Sequence, residues 1–303
     1  MALAGGVGAA RFLTGVQKLV REEELTVVVN TGDDIELFGL HISPDVDIVA
    51  YTLAGIVDEE KGWGFKADTF HCLEMLRKHG QDSWFSLGDK DLATHIYRTD
   101  RLNQGLTLSQ VTSEISQNLG LKIKLLPMSD DYFETRITTS IGIMHFEEYF
   151  VKRQCRDEVL GVTFVGATTA KPSPGVLDAI LDAELVVVCP SNPIVSIGSI
   201  LEVHGVRDAL KRTNAKVIGV SPIVRGSPIK GPADKMLRCL GVEVSAFGVA
   251  NYYKDFLDTF VIDSRDASDK SRIELLGISV KVTNTIMKSL DDKVSLAKTV
   301  LMS

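Results

Sequence analysis

Short apolar segments alternate with amphipathic segments along most of the chain. After an apolar stub at residues 1–4 and a glycine turn, the next segment has apolar side chains at the spacing of one helical face. Further apolar segments predict strands at residues 25–30, 121–126, 161–165, 185–189, 216–220 and 260–263. Because strands that alternate with helices are typical of βαβ units, the pattern predicts an α/β fold with a doubly wound, mostly parallel sheet.

The alternation is interrupted in one long stretch. Residues 127–156 have acidic loops, several threonines and aromatic side chains instead of a regular helix–strand pattern. They predict a small inserted subdomain between two parts of a nucleotide-binding core, at residues 1–126 and 157–303. A helix before it is expected to begin with a capping box at Thr107 and to end at Gly120.

Composition and charge exclude several classes of function. The chain has 303 residues and a formal net charge of −7, which argues against a general nucleic-acid surface because such a surface needs excess Lys and Arg. No apolar run reaches the ~18 residues of a membrane helix, and no signal peptide is recognised at the start. The four cysteines form no CxxC pair. We therefore expect a soluble cytoplasmic protein that binds neither nucleic acid nor membranes.

A glycine turn follows the first predicted strand. Free N–H groups at the start of the next helix can donate to a phosphate, so such a turn is suited to phosphate binding. We therefore expect Gly6, Val7 and Gly8 to line a diphosphate. The alternative is a tight turn without a ligand. Arg11 stands where a dinucleotide-binding fingerprint has its third glycine, which disfavours a nicotinamide cofactor.

Acidic residues cluster after the second predicted strand. Thr31 and Asp33 follow that strand directly, and Asp45 and Asp47 precede an apolar helix. Ligands of open α/β sheets bind beyond the carboxyl ends of the strands, and carboxylates there suit Mg²⁺ bound to a substrate phosphate. Asp33, Asp45 and Asp47 are therefore candidate metal ligands. The alternative is that Asp45 or Asp47 only caps the helix.

Two further polar segments supply candidates. Lys90, next to Asp89, is either a phosphate contact or part of a solvent-facing ion pair. His95, farther along the same predicted helix, is expected to be packed or to face solvent rather than to act as a base. Ser191 and Asn192 follow a strand that reads as buried, and they are candidates for contacting a base or a phosphate.

Together these segments resemble the 2-phospho-L-lactate transferase family, also called the CofD family. The matching segments are GGVGAARF from residue 5, VVNTGDD ending at residue 34, SPDVDIVAYTLAG from residue 43, GWG from residue 62, LGDKDLATHIYRT from residue 87, LPMSDD from residue 126, PSNPIVSIG from residue 190, VSPI from residue 220 and KGPA from residue 230. One departure is Lys90, where the family's block has Arg, so a bidentate fork is replaced by a point charge.

The resemblance implies a Rossmann-like fold, a homodimer, a requirement for Mg²⁺ and a donor linked to guanosine diphosphate. The expected reaction transfers a 2-phospholactyl, phosphoenolpyruvyl or phosphoglyceryl group to the deazaflavin Fo and releases GMP, in the biosynthesis of coenzyme F420. With the resemblance, we expect Asp45, Asp47 and Lys90 to act in catalysis. We expect the nucleotide to be bound by Gly6, Val7, Gly8, Thr31, Asp89, Ser191 and Asn192. We expect Tyr51 and Trp63 to cover the deazaflavin ring.

Two other functions are weighed against this one. The gluconeogenesis-factor group is similar at the glycine turn but lacks the PDxDxxxYTLAG block, and it would make the chain a regulator that binds a nucleotide sugar. An NAD-dependent oxidoreductase is disfavoured by Arg11 and by Asn30, because Asn30 ends the second strand where an acidic ribose contact is needed.

Overall fold

The computed structural model describes residues 1–303. Its strands are β1 (Ala2–Ala4), β2 (Thr26–Val29), β3 (Ile35–Leu37), β4 (Leu40–Ile42), β5 (Lys124–Pro127), β6 (Glu134–Thr139), β7 (Gly142–His145), β8 (Val159–Val165), β9 (Leu185–Val188), β10 (Lys216–Val220), β11 (Ile223–Val224), β12 (Ser227–Pro228), β13 (Thr259–Asp263) and β14 (Ser279–Thr283).

Twelve α-helices connect and cover the strands. They are α1 (Gly6–Val16), α2 (Pro44–Leu53), α3 (His71–Lys78), α4 (Asp89–Asn103), α5 (Leu108–Asn118), α6 (Val176–Leu181), α7 (Ile197–Glu202), α8 (Val206–Arg212), α9 (Ala233–Cys239), α10 (Ala246–Tyr253), α11 (Lys270–Glu274) and α12 (Leu290–Leu301). None of them is both long enough and apolar enough to cross a membrane.

Seven parallel strands form the central sheet, in the order β14-β13-β10-β9-β1-β2-β5. From β1 the chain builds outwards through β2 and β5, and it then returns to the other side of β1 and continues from β9 to β14. The direction of winding therefore reverses between β1 and β9, where open α/β sheets bind ligands beyond the carboxyl ends of the strands. The predicted doubly wound α/β fold is confirmed.

Both faces of the central sheet are buried. Leu3, Val186 and Val188 pack into one core, while Ala4 and Val187 pack into the core on the opposite face. A strand that is buried on both faces has no solvent-exposed face with polar side chains. This explains why the sequences of these strands are short continuous apolar segments.

The first βα unit forms although its strand has three residues. β1 lies at the centre of the sheet, between β2 and β9, and α1 begins directly after Gly5. Phe12 and Leu13 on α1 are fully buried. A Cβ on Gly15 would lie 2.2 Å from the carbonyl oxygen of Lys293, so α12 packs closely against α1 at this glycine.

The inserted region differs from its prediction at its end. β6, β7 and β8 form a separate antiparallel sheet in the order β7-β6-β8. The strand predicted at residues 161–165 exists, but it pairs with β6 and not with the central sheet, so this small sheet extends beyond residue 156 to Val165. A short apolar run looks the same in either sheet, which is why the sequence misassigned this strand.

The ends of α5 were predicted correctly. Thr107 Oγ1 accepts the N–H of Gln110, and the Gln110 side chain accepts the N–H of Thr107 at 2.9 Å. Gly120 follows the helix with φ +78°, a conformation that glycine adopts without strain. β14, in contrast, was missed, because three of its five residues are exposed and its sequence is more polar.

Candidate active site

The glycine turn between β1 and α1 lies against the loop that follows β9. Ser191 Oγ donates to the carbonyl of Gly5 at 2.7 Å and accepts the N–H of Gly5 at 3.3 Å. A Cβ on Gly8 would lie 2.2 Å from the carbonyl oxygen of Pro190, so a larger residue does not fit there. The N–H groups of Val7 and Gly8 donate to no protein acceptor. The turn therefore presents free donors at the point where the winding reverses.

Asn30 connects the acidic loop after β2 to the rest of the site. Its fully buried Nδ2 group donates to Asp33 Oδ2 at 3.1 Å and to Asp45 Oδ2 at 2.9 Å. Its Oδ1 atom accepts from Ser199 Oγ at 2.6 Å and from the N–H of Gly32 at 2.8 Å. Asn30 thus holds the two carboxylates side by side. Sequence reasoning placed it at the end of a strand and in the polar cluster that follows, and gave it no role of its own.

Several carboxylates are enclosed together beyond β2. The Oδ1 atoms of Asp33 and Asp34 are buried without a hydrogen-bond partner. Burial, and then the nearby charge of Asp45, raises the pKa of Asp33 well above its usual range. Burial raises the pKa of Asp45 to about 7, and burial together with Asp45 and Asp34 raises the pKa of Glu147 to about 8. This site therefore disfavours negative charge unless a cation compensates it.

The inserted subdomain reaches this site through His145. Its Nε2 lies 3.0 Å from the carbonyl oxygen of Asp34, and its Nδ1 accepts the N–H of Glu147 at 3.0 Å. The Asp34 carboxylate is held separately, since its Oδ2 accepts from Ser43 Oγ at 2.6 Å and lies 2.9 Å from His41 Nε2. Sequence reasoning missed His145 and Glu147, because they lie outside every segment with a recognisable chemical motif.

Asp47 belongs to a different network. Both of its carboxylate oxygens bond to the guanidinium of Arg98, one of them at 3.0 Å. The same guanidinium lies 3.2 Å from His95 Nδ1. The Tyr51 hydroxyl donates to Asp91 Oδ1 at 2.8 Å, and that oxygen is 3.3 Å from His95 Nε2. All five side chains are buried and together they tie α2 to α4. Of the two placements expected for His95, packed or facing solvent, the structure therefore has the packed one.

The three aspartates that were predicted to bind a metal therefore do not all lie in one site. Residues two apart on a helix do not face each other, so Asp47 points to Arg98 while Asp45 points to Asn30. The ligand atoms of Asp47, Asp91 and His95 do lie within 4.8 Å of one another. However, Arg98 already occupies both oxygens of Asp47, and its charge would repel a cation. Of the predicted metal ligands, the structure brings Asp33 and Asp45 together and leaves Asp47 in an ion pair.

Asp89 and Lys90 both make local contacts. Asp89 caps α3, since its carboxylate accepts the N–H groups of His71 at 3.1 Å and Cys72 at 3.0 Å. The Lys90 Nζ donates to the carbonyl oxygen of Ala67 at 3.0 Å. These contacts tie the start of α4 to the loop before α3 and to the first turn of α3, and the expectation that both residues bind the donor stays a prediction.

The remaining candidates differ in how accessible they are. Asn192 Oδ1 accepts the N–H groups of the following turn, while its Nδ2 donates to no protein group. The Thr31 hydroxyl is buried without a partner. Tyr51 is buried against Phe65, with ring centroids 4.3 Å apart, and is not available to cover a ligand. Trp63 is 38% exposed and is available.

The match to a known family covers nearly the whole chain. Residues 1–288 match the family described as 2-phospho-L-lactate transferase CofD. The chain belongs to the CofD family. The phosphoenolpyruvate transferase of Kitasatospora aureofaciens is 44% identical over 308 residues, which covers 99% of this chain and 96% of that protein. The 2-phospho-L-lactate transferase of Methanocaldococcus jannaschii is 42% identical over 303 residues, with 99% and 96% covered.

Solved structures agree on the fold of this CofD family member. A crystal structure of a UPF0052 family protein from Bacillus halodurans superposes with a TM-score of 0.64 and covers 99% of this chain and 98% of that one. The two sequences are 16% identical. At that identity the likeness concerns the fold alone.

The stability of the metal-free CofD protein should fall as the pH rises. The folded-state pKa values of Asp45 and Glu147, about 7 and about 8, lie above the ~4 of unfolded carboxylates. Between these values the folded state binds more protons than the unfolded state, so the free energy of unfolding decreases with pH. Thermal melts in EDTA should show a lower Tm at about pH 8.5 than at about pH 6.

The matched variant for this measurement is Glu147→Gln, which removes one of the two titrations and should make the fall in Tm shallower. Addition of Mg²⁺ at the higher pH should recover part of the lost stability in the native protein. A Tm that rises over this range, with the same slope in the variant, would contradict the assignment.

Removal of the Asp47 charge should destabilise the fold. Asp47→Asn leaves the buried Arg98 guanidinium without its counter-ion, and such a change costs about 3–5 kcal/mol. The control is Asp234→Asn, whose partner Arg238 is 62% exposed and whose loss should cost at most ~1 kcal/mol. Urea unfolding of the two variants measures the difference. Equal stabilities would show that the Asp47–Arg98 pair does not hold α4 in place.

Proposed function

We propose that this protein transfers a 2-phospholactyl- or phosphoenolpyruvyl-type group from a guanosine diphosphate ester to the deazaflavin Fo, with release of GMP, in the biosynthesis of coenzyme F420. One observation carries the proposal. Free N–H donors of the glycine turn and the enclosed carboxylates beyond β2 meet at the point where the winding reverses. The names of the relatives from Kitasatospora aureofaciens and Methanocaldococcus jannaschii support this class of transfer.

The donor nucleotide would lie across the glycine turn. The N–H groups of Val7 and Gly8 are free to bond the diphosphate, and the start of α1 favours negative charge there. The free Nδ2 of Asn192 lies on the neighbouring loop and is a candidate contact to the guanosine part. Ser191 contributes indirectly, because its hydroxyl fixes Gly5 and with it the conformation of the turn.

Mg²⁺ fits the residues present. The ion prefers oxygen ligands, and the unpartnered Oδ1 of Asp33 lies in the same enclosed site as Asp45. Asp33 and Asp45 would hold it, while Asn30 orients both carboxylates. When bound, the ion would supply positive charge that offsets the charge of the diphosphate.

In this reaction the main task of the protein is to align the acceptor hydroxyl with the donor phosphorus. The hydroxyl oxygen of the acceptor forms a bond to the phosphorus that carries the transferred group, the bond from that phosphorus to the bridging oxygen of GMP breaks, and the hydroxyl proton leaves. Phosphoryl-type transfer of this kind depends on positioning and charge compensation more than on covalent catalysis. Asp47 would contribute by fixing α2 through Arg98, and Lys90 by fixing the loop before α3.

Release of GMP tests this function directly. The protein should be incubated with Fo, Mg²⁺ and, in separate reactions, the guanosine diphosphate esters of the 2-phospholactyl, phosphoenolpyruvyl and phosphoglyceryl groups. At least one of the first two donors should yield GMP and the matching Fo product, detected by mass spectrometry. Asp45→Asn should lower turnover at least tenfold, which is ~1.4 kcal/mol or more of transition-state stabilisation. Asp291→Asn, on the exposed first turn of α12, is the control and should be unchanged. Binding of a donor without any GMP release would favour a regulator instead.

We also propose that the protein forms a homodimer whose interface covers the inserted sheet. Ile141, Ile143 and Leu160 lie on or beside that sheet and are 59%, 66% and 56% exposed, which is typical of an interaction surface when such side chains cluster. Light scattering should give the mass of two chains, and Ile143→Asp should shift it towards one. Ile96→Asp, at an exposed position on α4, should have no effect. A native protein of one chain's mass would contradict this proposal.

A further inference from the structure

Two cationic side chains near the glycine turn have no partner in the protein. Lys230 lies between β12 and α9, and Arg11 lies on α1. Neither side chain makes an ion pair or a hydrogen bond. The chain has 40 acidic residues and only 33 lysines and arginines, so carboxylates that could pair with these two cations are plentiful elsewhere. Two neighbouring cations without a carboxylate are therefore not explained by the packing of the fold.

A close approach at Gly62 shows where the Lys230 amine lies. A Cβ on Gly62 would be 3.5 Å from Lys230 Nζ and 3.5 Å from Val7 Cγ1. Gly62 has φ +76°, and its N–H donates to the carbonyl of Asp58 at 2.7 Å, so this part of the loop is held in place. The Lys230 amine is thus beside Val7, a residue of the glycine turn whose own N–H is free to bind a phosphate.

Arg11 approaches the same residue from within α1. It follows Val7 by four positions, and residues at this spacing lie on the same face of a helix. Long side chains on a helix point back over the preceding turn, so the Arg11 guanidinium extends towards Val7. Burial, and then the charge of Arg11, lowers the pKa of Lys230, as expected for two cations that lie close together. A bound anion would offset both charges.

The acidic part of the site lies at different residues of the turn. A Cβ on Gly6 would be 3.2 Å from Asp45 Oδ1, and a Cβ on Gly5 would be 2.9 Å from Asp45 Oδ2. Asp45 is one of the two proposed ligands of Mg²⁺. A diphosphate on the N–H groups of Val7 and Gly8 would therefore have a carboxylate-lined site for a cation on one side and a separate basic site beside Val7.

We propose that Lys230 and Arg11 bind the carboxylate of the group that is transferred. This inference rests on the proposed function. The lactyl, enolpyruvyl and glyceryl groups differ in their carbon atoms, but each carries a carboxylate near the oxygen that is bonded to phosphorus. The diphosphate already has partners in the free N–H groups and Mg²⁺, whereas this carboxylate has none elsewhere in the site. The two cations would thus select donors that carry a carboxylate.

Calorimetric titration of the full-length protein with two esters of guanosine diphosphate, in the presence of Mg²⁺ and without Fo, tests this inference. The lactate ester carries the carboxylate, and the isopropyl ester has a methyl group in its place. Lys230→Gln and Arg11→Gln should each weaken binding of the lactate ester by about tenfold or more, and binding of the isopropyl ester by less than about twofold, because only the lactate ester loses a charge-assisted contact.

The control is Lys18→Gln, at an exposed lysine just beyond the end of α1, which should leave both affinities unchanged. Binding of the isopropyl ester also shows that each variant is folded. Equal weakening of both esters in Lys230→Gln would place the lysine on the diphosphate and overturn the inference. An unchanged affinity for the lactate ester, or a native protein that does not prefer it to the isopropyl ester, would also overturn the inference.

The inference and the proposed function can fail separately. If the preference for the lactate ester depends on Lys230 but no donor yields GMP, the inference stands and the proposed transfer fails. If GMP is released and the preference does not depend on Lys230, the transfer stands and the inference fails.

Discussion

The geometry of the site depends on one neutral amide, the side chain of Asn30, which holds two buried carboxylates. Asn30 donates to both Asp33 and Asp45, and its own oxygen is fully used by Ser199 and Gly32. One amide brings no positive charge, so the carboxylates stay uncompensated within the protein. They are enclosed either as protonated acids or with a bound cation. The same arrangement links the end of β2, the start of α2 and α7, and thereby aligns the loops around the glycine turn.

Asp47, another buried acid, is compensated within the protein. Asp47 lies only two residues from Asp45, yet its charge is matched by Arg98, and the surrounding network ties α2 to α4. A network whose buried charge is matched by an ion pair fixes structure, whereas the uncompensated carboxylates beyond β2 are suited to a ligand. The four aspartates of this region look alike in the sequence. The sequence therefore did not reveal that they have two different roles. The contrast also explains how α2 is held rigidly while its first turn remains part of the site.

Much of this architecture was predictable from the sequence. Apolar segments identified seven strands, six of which belong to the central sheet, and the capping box located α5, because these signals depend on local periodicity and hydrogen bonding. The glycine turn and Asp33 were placed correctly at the carboxyl edge. What local patterns do not contain is long-range contact. The pairing of β8 with β6, the direction of Asp47 and the arrival of His145 from the insert all depend on which elements meet in the fold.

The position of a bound ion tests the central claim most directly. Crystals of the protein grown with guanosine diphosphate and Mn²⁺ would reveal the ion by anomalous scattering. We predict one strong peak at about 2.0–2.3 Å from oxygens of Asp33 and Asp45, on the side of the site that faces the glycine turn. A peak at Asp47, Asp91 and His95 instead, or ordered diphosphate with no ion near Asp33, would contradict the account.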